Sequence, residues 1–291
     1  MENLDNWKKA GRIAAESLEY GEGLIKKYAY LLDVTNKIEQ KVKQLGGNLA
    51  FPVQMSMNEF AAHFYPEKDD KTIFTDQLVS LDIGVHVDGC IGDTACTVDL
   101  SGNNKELVDA SRKALDEAIK SIKKNVRLNE IGEAIEETIA GFGFKPVRNL
   151  SGHGLEPYNI HSFPTIPNFD NGDMTELKDQ VIAIEPFATY GVGMIEERGN
   201  ATLFAVFEKK PVRVGFVRDI LTEVNSFNKL PFAKSWITGF SDAQINFALK
   251  QFKELGILKE YPPLVEKSNA LVSQAEHTVY IGGKAEVLTK L

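Results

Sequence analysis

The stretch VSLDIGVHVDGCIGDTACTVDL, residues 79–100, decides the fold because it places two acidic side chains inside two strand-like runs. Apolar residues alternate along the first run, and Asp88-Gly89 is typical of a two-residue hairpin turn. We therefore predict a β-hairpin whose second strand runs from Ile91 to Leu100. If the strands pair in antiparallel register, Asp82 and Asp93 lie on one side of the hairpin and close together.

Two carboxylates at this spacing need a proton or a metal ion between them, because like charges do not both stay ionised at close range. A single Asp in an apolar strand is more often an edge residue that faces water. Two of them on adjacent strands, Asp82 and Asp93, favour a metal site. Nitrogen and further oxygen ligands from the rest of the chain would have to complete it.

The composition is that of an enzyme-sized globular protein. The chain has 291 residues, 43% of them hydrophobic, which allows one large α/β domain or two smaller ones. Its net charge of −8 and its pI near 5.3 disfavour a basic nucleic-acid-binding face, so we expect no DNA partner. With two cysteines, no secretory signal and no run of 18 apolar residues, we predict a cytoplasmic location and no membrane partner.

Helical spacing of apolar residues predicts two helices before residue 46 and two after the hairpin, over Asn103–Lys124 and Asn129–Phe142, with Asn129 as N-cap. Strand, helix, helix and strand then recur, which indicates two similar halves. The pattern becomes helical again between about residues 219 and 263, where Ser241 opens a capping box. We interpret this segment as a helical insert in one domain that spans residues 1–291.

Two histidines lie in segments that helices cannot occupy. His153 stands in NLSGHG, residues 149–154, which we predict to be an irregular loop because glycine neighbours allow close approach to a ligand. His161 stands in YNIH between prolines, so its segment is predicted to be extended or looped. Local sequence at His63 favours a hydrogen-bonded core histidine instead.

Two more carboxylates occupy apolar strands. Glu185 lies in VIAIEPF, residues 181–187, and Glu276 lies in a strand-like run from Ala270 to Ile281. A carboxylate in a buried strand needs a partner, because its charge is costly to remove from water. Both residues are therefore candidate metal ligands.

Together the candidates supply four carboxylates and one imidazole: Asp82, Asp93, His153, Glu185 and Glu276. This oxygen-rich set suits two divalent ions such as Mn²⁺, Fe²⁺, Co²⁺ or Zn²⁺, and it lacks the thiolates that a structural zinc prefers. Two ions about 3.5–4 Å apart can lower the pKa of a bridging water and polarise a carbonyl group. Hydrolysis of an amide is the natural use of such a site.

The sequence resembles the type 2 methionine aminopeptidases, which have the pita-bread fold. The matching text is LDIGVHVDGCIGDTACTV, NLSGHG followed by YNIH, VIAIEPFATYGVG, and EHT near the C-terminus. The resemblance covers nearly the whole chain and implies an α/β (α+β) protein with antiparallel sheets and pseudo-two-fold halves. The insert is similar to the one that separates type 2 from type 1 enzymes. Without a charged N-terminal extension, the chain resembles the short archaeal form. Ala275 departs from the bulky aromatic residue that is usual before Glu-His-Thr.

This resemblance also implies a function and site roles. The expected reaction is metal-dependent removal of the N-terminal methionine from nascent polypeptides, through attack of a dinuclear-metal-bound hydroxide on the first peptide bond, with a small second residue preferred. The five residues above would hold the two ions, with Glu185 as proton shuttle. His63 and His161 would contact the substrate and stabilise the tetrahedral intermediate.

Phe51, Ile160 and His63 are the candidates for the pocket of the methionine side chain, although core packing is an equally open interpretation of Phe51. We interpret His86 and His277 as structural. The resemblance further implies a monomer that meets nascent chains, with ribosome contact as a plausible addition.

Two rival functions remain at this point. A prolidase or proline-specific aminopeptidase has the same fold and a similar ligand set, but such chains carry a large N-terminal domain, whereas 81 residues precede Asp82 here. The other rival is a relative that has lost its ligands and binds RNA or protein. All five ligand residues are present, and the acidic composition disfavours RNA.

Overall fold

We describe the protein from a computed structural model, which covers residues 3–282 and 284–291. The described residues form these α-helices: α1 Leu4–Leu24, α2 Leu31–Gln44, α3 Lys105–Ser121, α4 Leu128–Gly141, α5 Gly215–Asn225 and α6 Asp242–Glu254. Within the same ranges, none of the helices is long and apolar enough to cross a membrane.

The strands, in chain order, are β1 Asn48–Leu49, β2 Gln54–Met57, β3 Phe60–Ala62, β4 Leu78–Val87, β5 Cys90–Asp99, β6 Lys145–Pro146, β7 Ser151–Glu156, β8 Asn159–Pro167, β9 Gln180–Ile184, β10 Phe187–Thr189, β11 Ile195–Glu197, β12 Leu203–Val206, β13 Phe232–Ala233, β14 Leu258–Tyr261, β15 Leu264–Glu266, β16 Val272–Gln274, β17 Glu276–Ile281 and β18 Ala285–Val287.

A nine-stranded antiparallel sheet organises the molecule. Its strand order is β1-β4-β5-β17-β9-β7-β8, with β2 paired to β4 and β18 paired to β17. Three-stranded sheets β16-β10-β6, β11-β15-β3 and β13-β12-β14 surround it. The prediction of an α+β fold with antiparallel sheets is confirmed.

The predicted hairpin is confirmed as β4 and β5, and its register is now defined. Val87 pairs with Cys90, so the turn consists of Asp88 and Gly89. Both have positive φ, 48° and 88°, as a two-residue hairpin turn of type I′ requires. Asp82 pairs with Ala95 and Asp93 pairs with Gly84.

The helices cover one face of the large sheet. On β4, alternate residues from Val79 to Val87 are buried in a cluster with α1 and α2. On β9, Ile182 and Ile184 are buried in a second cluster with α3 and α4. Because side chains alternate across a strand, the intervening residues of these strands point to the opposite face, away from the helices.

The four predicted early helices are all present, but one predicted boundary is wrong. Asn129 is not the N-cap of α4, because the helix already begins at Leu128 after Arg127. The Glu130 side chain accepts a hydrogen bond from the Arg127 backbone N–H at 2.8 Å. This reverse bond satisfies a backbone donor at the helix start and moves the beginning of the helix ahead of Asn129.

Between β12 and β15 the chain forms α5, β13, a 3₁₀ turn at Lys234–Trp236, α6 and β14. Ser241 caps α6, accepting a hydrogen bond from the Gln244 backbone N–H, so the predicted capping box is confirmed. Apolar residues of this segment, together with Phe204, Val206 and Val212, form a buried cluster of their own.

Candidate metal centre and active site

Strand register brings three of the predicted ligands to one face of the sheet. Asp82 on β4 pairs with Ala95 on β5, and Ala95 in turn pairs with Glu276 on β17. Paired residues share a face, and Asp93 lies two positions from Ala95 on the same strand. Asp82, Asp93 and Glu276 therefore project together from three adjacent strands.

The other two predicted ligands reach this face from the far side of β17. His153 on β7 pairs with Ala183 on β9, two residues before Glu185. His277 pairs with Ile184, which sets Glu185 beside Glu276. The alternation that places His153 and Glu185 on one face also places them on the face of Glu276, opposite the helices.

The five side chains form one compact cluster. The ligand atoms of Asp93, His153 and Glu276 lie within 4.8 Å of one another. His153 Nε2 is 3.5 Å from Glu185 Oε1 and 4.0 Å from Asp93 Oδ2. Asp82 is close enough for its charge to raise the pKa of Asp93, Glu185 and Glu276.

The loop predicted for residues 149–154 is wrong in its secondary structure, because His153 lies inside strand β7. The two flanking glycines serve close strand packing. A Cβ on Gly152 would come within 2.3 Å of the Ala183 carbonyl oxygen, and one on Gly154 within 2.2 Å of the Phe163 carbonyl oxygen. The segment with His161 is also a strand, β8, in agreement with the extended alternative.

Burial dominates the electrostatics of the cluster. It raises the pKa of Asp82 to about 7, and it raises the pKa of Asp93, Glu185 and Glu276 well above the usual range, with the neighbouring carboxylates adding to the effect. Burial lowers the pKa of His153 to about 3. The imidazole is therefore neutral, and the carboxyl groups resist ionisation unless a cation is present. A bound metal ion would supply that positive charge.

Two observations show that these residues fit divalent metal ions. Within the described part of the chain, nothing hydrogen-bonds the buried Oδ1 atoms of Asp82 and Asp93, although buried polar atoms are normally paired. His153 Nδ1 lies 3.2 Å from the carbonyl oxygen of Gly154, which can only accept, so Nδ1 carries the proton. Nε2 then keeps its lone pair and faces the carboxyl groups, as in metal-binding histidines.

His63 and His161 flank the cluster on a cavity of about 430 Å³. His63 follows β3 with a φ of 63°, and its backbone N–H donates to the side chain of Gln54. Its ring Nδ1 lies 3.2 Å from the carbonyl oxygen of Pro262. The His161 ring centre is 4.7 Å from that of His153, and the His161 side chain is exposed to the cavity.

The predicted side-chain pocket residues also line this cavity. Phe51 and Ile160 are buried, with 5% and 6% of their surface exposed, and both border the same space as the carboxyl groups. Leu203, Pro231 and Leu264 add apolar wall that sequence analysis did not single out. The cavity therefore joins an apolar compartment to the polar cluster.

Several contributors to the site were missed by sequence analysis. Gln54 holds the His63 backbone, and the side-chain amide of Gln274 lies 3.5 Å from Asp82 Oδ2. Thr278 binds the backbone of Asp93. One usable signal was present for Thr278, which lies two residues after Glu276 on β17 and so shares its face of the strand.

His86 and His277 lie away from the cluster. His86 Nδ1 accepts a hydrogen bond of 3.3 Å from Gly89 in the hairpin turn, and its ring packs edge-on to Tyr158. His277 Nδ1 is 2.9 Å from the hydroxyl of Thr289. These contacts agree with structural roles for both.

The fold and the site together define a metallopeptidase. Residues 5–215 match the family described as Metallopeptidase family M24, and the chain belongs to that family. At the level of close sequence relatives, the chain is 43% identical to methionine aminopeptidase of Thermococcus onnurineus, over 99% of this chain and 100% of that protein. It is 41% identical to methionine aminopeptidase of Archaeoglobus fulgidus, over 97% of each chain. Within its family, the chain is thus a metallo-aminopeptidase of the methionine aminopeptidase group.

Solved structures show the same fold at lower identity. Methionine aminopeptidase from Thermotoga maritima has a TM-score of 0.72 at 24% identity, over 99% of this chain and 96% of that one. A thermophilic Arx1 has a TM-score of 0.84 at 16% identity, over 99% and 91%. Prolidase from Pyrococcus furiosus has a TM-score of 0.64 at 19% identity, over 100% of this chain and 64% of the prolidase chain. These likenesses support the fold alone.

Proposed function

We propose that this protein removes the N-terminal methionine from nascent polypeptides by metal-dependent hydrolysis of the first peptide bond, with a preference for a small second residue. The observation that carries this proposal is the convergence of Asp82, Asp93, His153, Glu185 and Glu276 on one sheet face, in a chain that aligns over its full length with methionine aminopeptidases. The free N-termini of polypeptides are the substrates that follow from it.

Two divalent ions, of the kind Mn²⁺, Fe²⁺, Co²⁺ or Zn²⁺, are the proposed cofactor. Four carboxyl groups offer more oxygen ligands than one ion needs, and the single imidazole supplies nitrogen from Nε2. The Oδ1 atoms of Asp82 and Asp93, which find no hydrogen-bond partner among the residues that the structure describes, support this assignment. When bound, the ions would lower the pKa of a water molecule and polarise the carbonyl group of the first peptide bond.

The neighbouring residues would orient the substrate and move protons. We assign Glu185 as a ligand that also shuttles a proton, since its carboxyl group has a raised pKa and 15% of its side chain is exposed. His161, whose ring faces the cavity, would donate a hydrogen bond to the substrate carbonyl and to the oxyanion that develops from it.

His63 has a more defined proton arrangement. Because the Pro262 carbonyl accepts from Nδ1, the neutral ring carries its proton there and leaves Nε2 as an acceptor. Burial lowers the pKa of His63 to about 4, which keeps the ring neutral at physiological pH. We propose that His63 Nε2 accepts an N–H group of the substrate and so helps to orient the first peptide bond, with His161 as the donor.

The methionine side chain would occupy the apolar compartment bordered by Phe51 and Ile160, with His63 at its edge. Burying an unbranched thioether chain there gains free energy in proportion to apolar area, about 25 cal/mol per Å². A charged or short first side chain would gain less, which is the physical basis for selection of methionine.

We further propose the type 2 subtype, in an archaeal-like form, with residues 219–263 as a helical insert in one catalytic domain that spans residues 1–291. The separate apolar cluster of this segment supports the insert, although that cluster also draws on Phe204, Val206 and Val212. A monomer that acts on nascent chains in the cytoplasm, with ribosome contact, completes the proposal.

The test is release of free methionine from Met-Ala-Ser and from a Met-Pro peptide. The protein is stripped with a chelator and assayed before and after addition of Mn²⁺ or Co²⁺. We expect release that returns with metal and is faster from Met-Ala-Ser, and no release of alanine from Ala-Ala-Ser. A folded protein that releases nothing with any metal would contradict the proposal and favour a binding function on the same fold.

A further inference from the structure

The seam between β5 and β17 joins two parts of the metal centre. β5 carries Asp93 and β17 carries Glu276, yet direct backbone pairing covers two residue pairs, Glu276 with Ala95 and His277 with Thr94. The neighbouring contacts of these strands are longer, with ten pairs between β4 and β5 and five between β17 and β9. The seam is thus short where two strands that carry ligand residues meet.

Threonine hydroxyl groups extend the seam on both sides of this pairing. Thr278, opposite Asp93, accepts the Asp93 backbone N–H at 2.7 Å and donates to the Asp93 carbonyl oxygen at 2.8 Å. At the other end Thr97, opposite Gln274, accepts the Gln274 N–H at 2.8 Å and donates to its carbonyl oxygen at 2.7 Å. Each hydroxyl replaces the two backbone bonds that a continued ladder would make.

A single hydroxyl bond holds the ligand residue on the other strand. The hydroxyl of Thr94 donates to the carbonyl oxygen of Glu276 at 2.9 Å. Asp93 is therefore bound by a threonine of β17, and Glu276 is bound by a threonine of β5. Both of these threonines are fully buried.

A threonine side chain between two backbones holds them further apart than a direct N–H···O=C bond does, because the Cα–Cβ–Oγ arm adds its length to that of the hydrogen bond. The hydroxyl of Thr278 uses both its donor and an acceptor, so shifting Asp93 would leave buried polar groups unpaired. At Asp93 the distance between the β5 and β17 backbones is therefore determined by a side chain, whereas Glu276 pairs directly with Ala95.

We infer that Thr278, together with Thr94, is a positioning residue that sets the spacing of the Asp93 and Glu276 carboxylates for divalent metal ions. The inference rests on the proposed metal centre. Neither threonine supplies a ligand atom in this scheme. Each acts through the backbone of a ligand residue, as outer partners of metal ligands commonly do.

The experiment compares Thr278→Val, Thr278→Ser and Thr189→Val in the full chain. Thr278→Val keeps the shape and removes the hydroxyl, whereas Thr278→Ser keeps the hydroxyl. Thr189→Val is the matched control, because the buried Thr189 hydroxyl also accepts one backbone N–H, from Gly191, and donates to one backbone carbonyl, of Leu271, and neither of these is a proposed ligand. Mn²⁺ binding is measured by calorimetry, and stability of the metal-free form by urea unfolding.

We expect Thr278→Val to raise the Kd for Mn²⁺ by about 10–100-fold. The Kd of Thr278→Ser and of Thr189→Val should stay within about threefold of the unmodified value, with Thr189→Val losing about as much stability as Thr278→Val. Should Thr278→Val fail to fold, Thr94→Val tests the same idea through Glu276, with the same expected loss of affinity.

An unchanged Kd in Thr278→Val, or an equal loss in Thr189→Val, would overturn the inference and leave the hydroxyl groups a purely structural role. Unmodified protein that binds no Mn²⁺ at all would instead contradict the proposed metal centre. Failure of the inference and failure of the proposed metal centre are distinguishable, because the inference is tested only against unmodified protein that binds Mn²⁺.

Discussion

The fold buries four carboxyl groups together at the proposed metal centre, which is unusual for acidic side chains. Burial holds the pKa values of all four above the usual range, and repulsion by neighbouring carboxylates adds to the effect at Asp93, Glu185 and Glu276. Each therefore retains a proton more readily than in water, and binding of a divalent ion must release protons. The same repulsion lowers the stability of the metal-free chain and provides the affinity for cations.

Asp93→Asn should separate activity from stability. The amide removes a ligand charge, so metal-dependent methionine release should fall by about 1,000-fold or more, as expected for loss of a group that stabilises the transition state. In the metal-free form, the same change removes a repelling carboxylate and should raise stability by about 1 kcal/mol, or about 2–4 °C at this chain length.

The measurements for this variant are peptide turnover with Mn²⁺ and thermal unfolding after chelation. Asp88→Asn, at the exposed hairpin turn, is the control and should change neither quantity strongly. Turnover of Asp93→Asn at the unmodified rate would contradict the assignment of Asp93 as a ligand.

The metal-free protein should lose stability as pH rises from 6.5 to 8.5. Carboxyl groups with raised pKa values, such as Asp82 at about 7, bind more protons in the folded than in the unfolded chain over this range. Each group that is still protonated in the fold lowers the free energy of unfolding by about 1.4 kcal/mol per pH unit.

Histidines act in the opposite direction at lower pH. His63 and His153 have pKa values of about 4 and 3, below the unfolded value near 6.5, so their contribution is lost as pH falls below about 6.5. Urea unfolding of chelated protein at pH 6.5, 7.5 and 8.5 tests the carboxyl effect separately. Saturating Mn²⁺ should abolish the decline, and a metal-free stability that rises over this range would refute the explanation.

At the level of elements, the close approach of neighbouring strands limits the size of the side chains that β7 can carry. Gly154→Ala should destabilise the protein by about 3 kcal/mol or more, because its Cβ would lie 2.2 Å from the carbonyl oxygen of Phe163. β7 also carries His153, so residual folded protein should bind Mn²⁺ poorly.

A matched glycine substitution gives the opposite expectation. Gly141 ends α4, and a Cβ there would have no heavy atom within 4 Å. Gly141→Ala should therefore be neutral or stabilise by up to about 1 kcal/mol. Urea unfolding of both variants measures the two changes in stability. Equal changes for Gly154→Ala and Gly141→Ala would contradict the close strand packing around β7.

At the scale of the whole molecule, the metal centre draws on strands far apart in sequence. Asp82 and Glu276 lie on strands separated by nearly two hundred residues, and both belong to the nine-stranded sheet. Ions bound there should stabilise the sheet as a unit, by about 2.7 kcal/mol when the free ion is at 100 times its Kd. The expected rise in melting temperature is about 5–10 °C.

Hydrogen exchange checks where this stabilisation is felt. Mn²⁺ should slow exchange in β4, β5, β7, β9 and β17 together, because these strands contribute ligands or pair with those that do. Protection confined to the β4–β5 hairpin would contradict a centre shared across the sheet. Asp93→Asn, with its weakened site, is the control and should show a smaller shift.

Much of this protein follows from the sequence by itself. Alternation and an Asp-Gly turn determine the hairpin with Asp82 and Asp93, and helical spacing determines α1 to α4, because each depends on residues close together in the chain. Carboxylates in apolar strands and a glycine-flanked histidine also pointed to Glu185, Glu276 and His153. The resemblance to a known family added the pita-bread fold and the roles of His63 and His161. The prediction of a loop around His153 was wrong. Glycines beside a histidine also permit close strand packing, and local sequence does not distinguish a loop from a closely packed strand.

Tertiary structure alone decided how the ligands meet. The register that aligns Asp82, Ala95 and Glu276 depends on pairing between distant strands, and a shift by one residue would turn the side chains to the helix-covered face. The proton position on His63 depends on Pro262, nearly two hundred residues away. The hydroxyl-bridged seam at Thr278 likewise exists only where β5 meets β17, because no local pattern encodes a contact between strands so far apart.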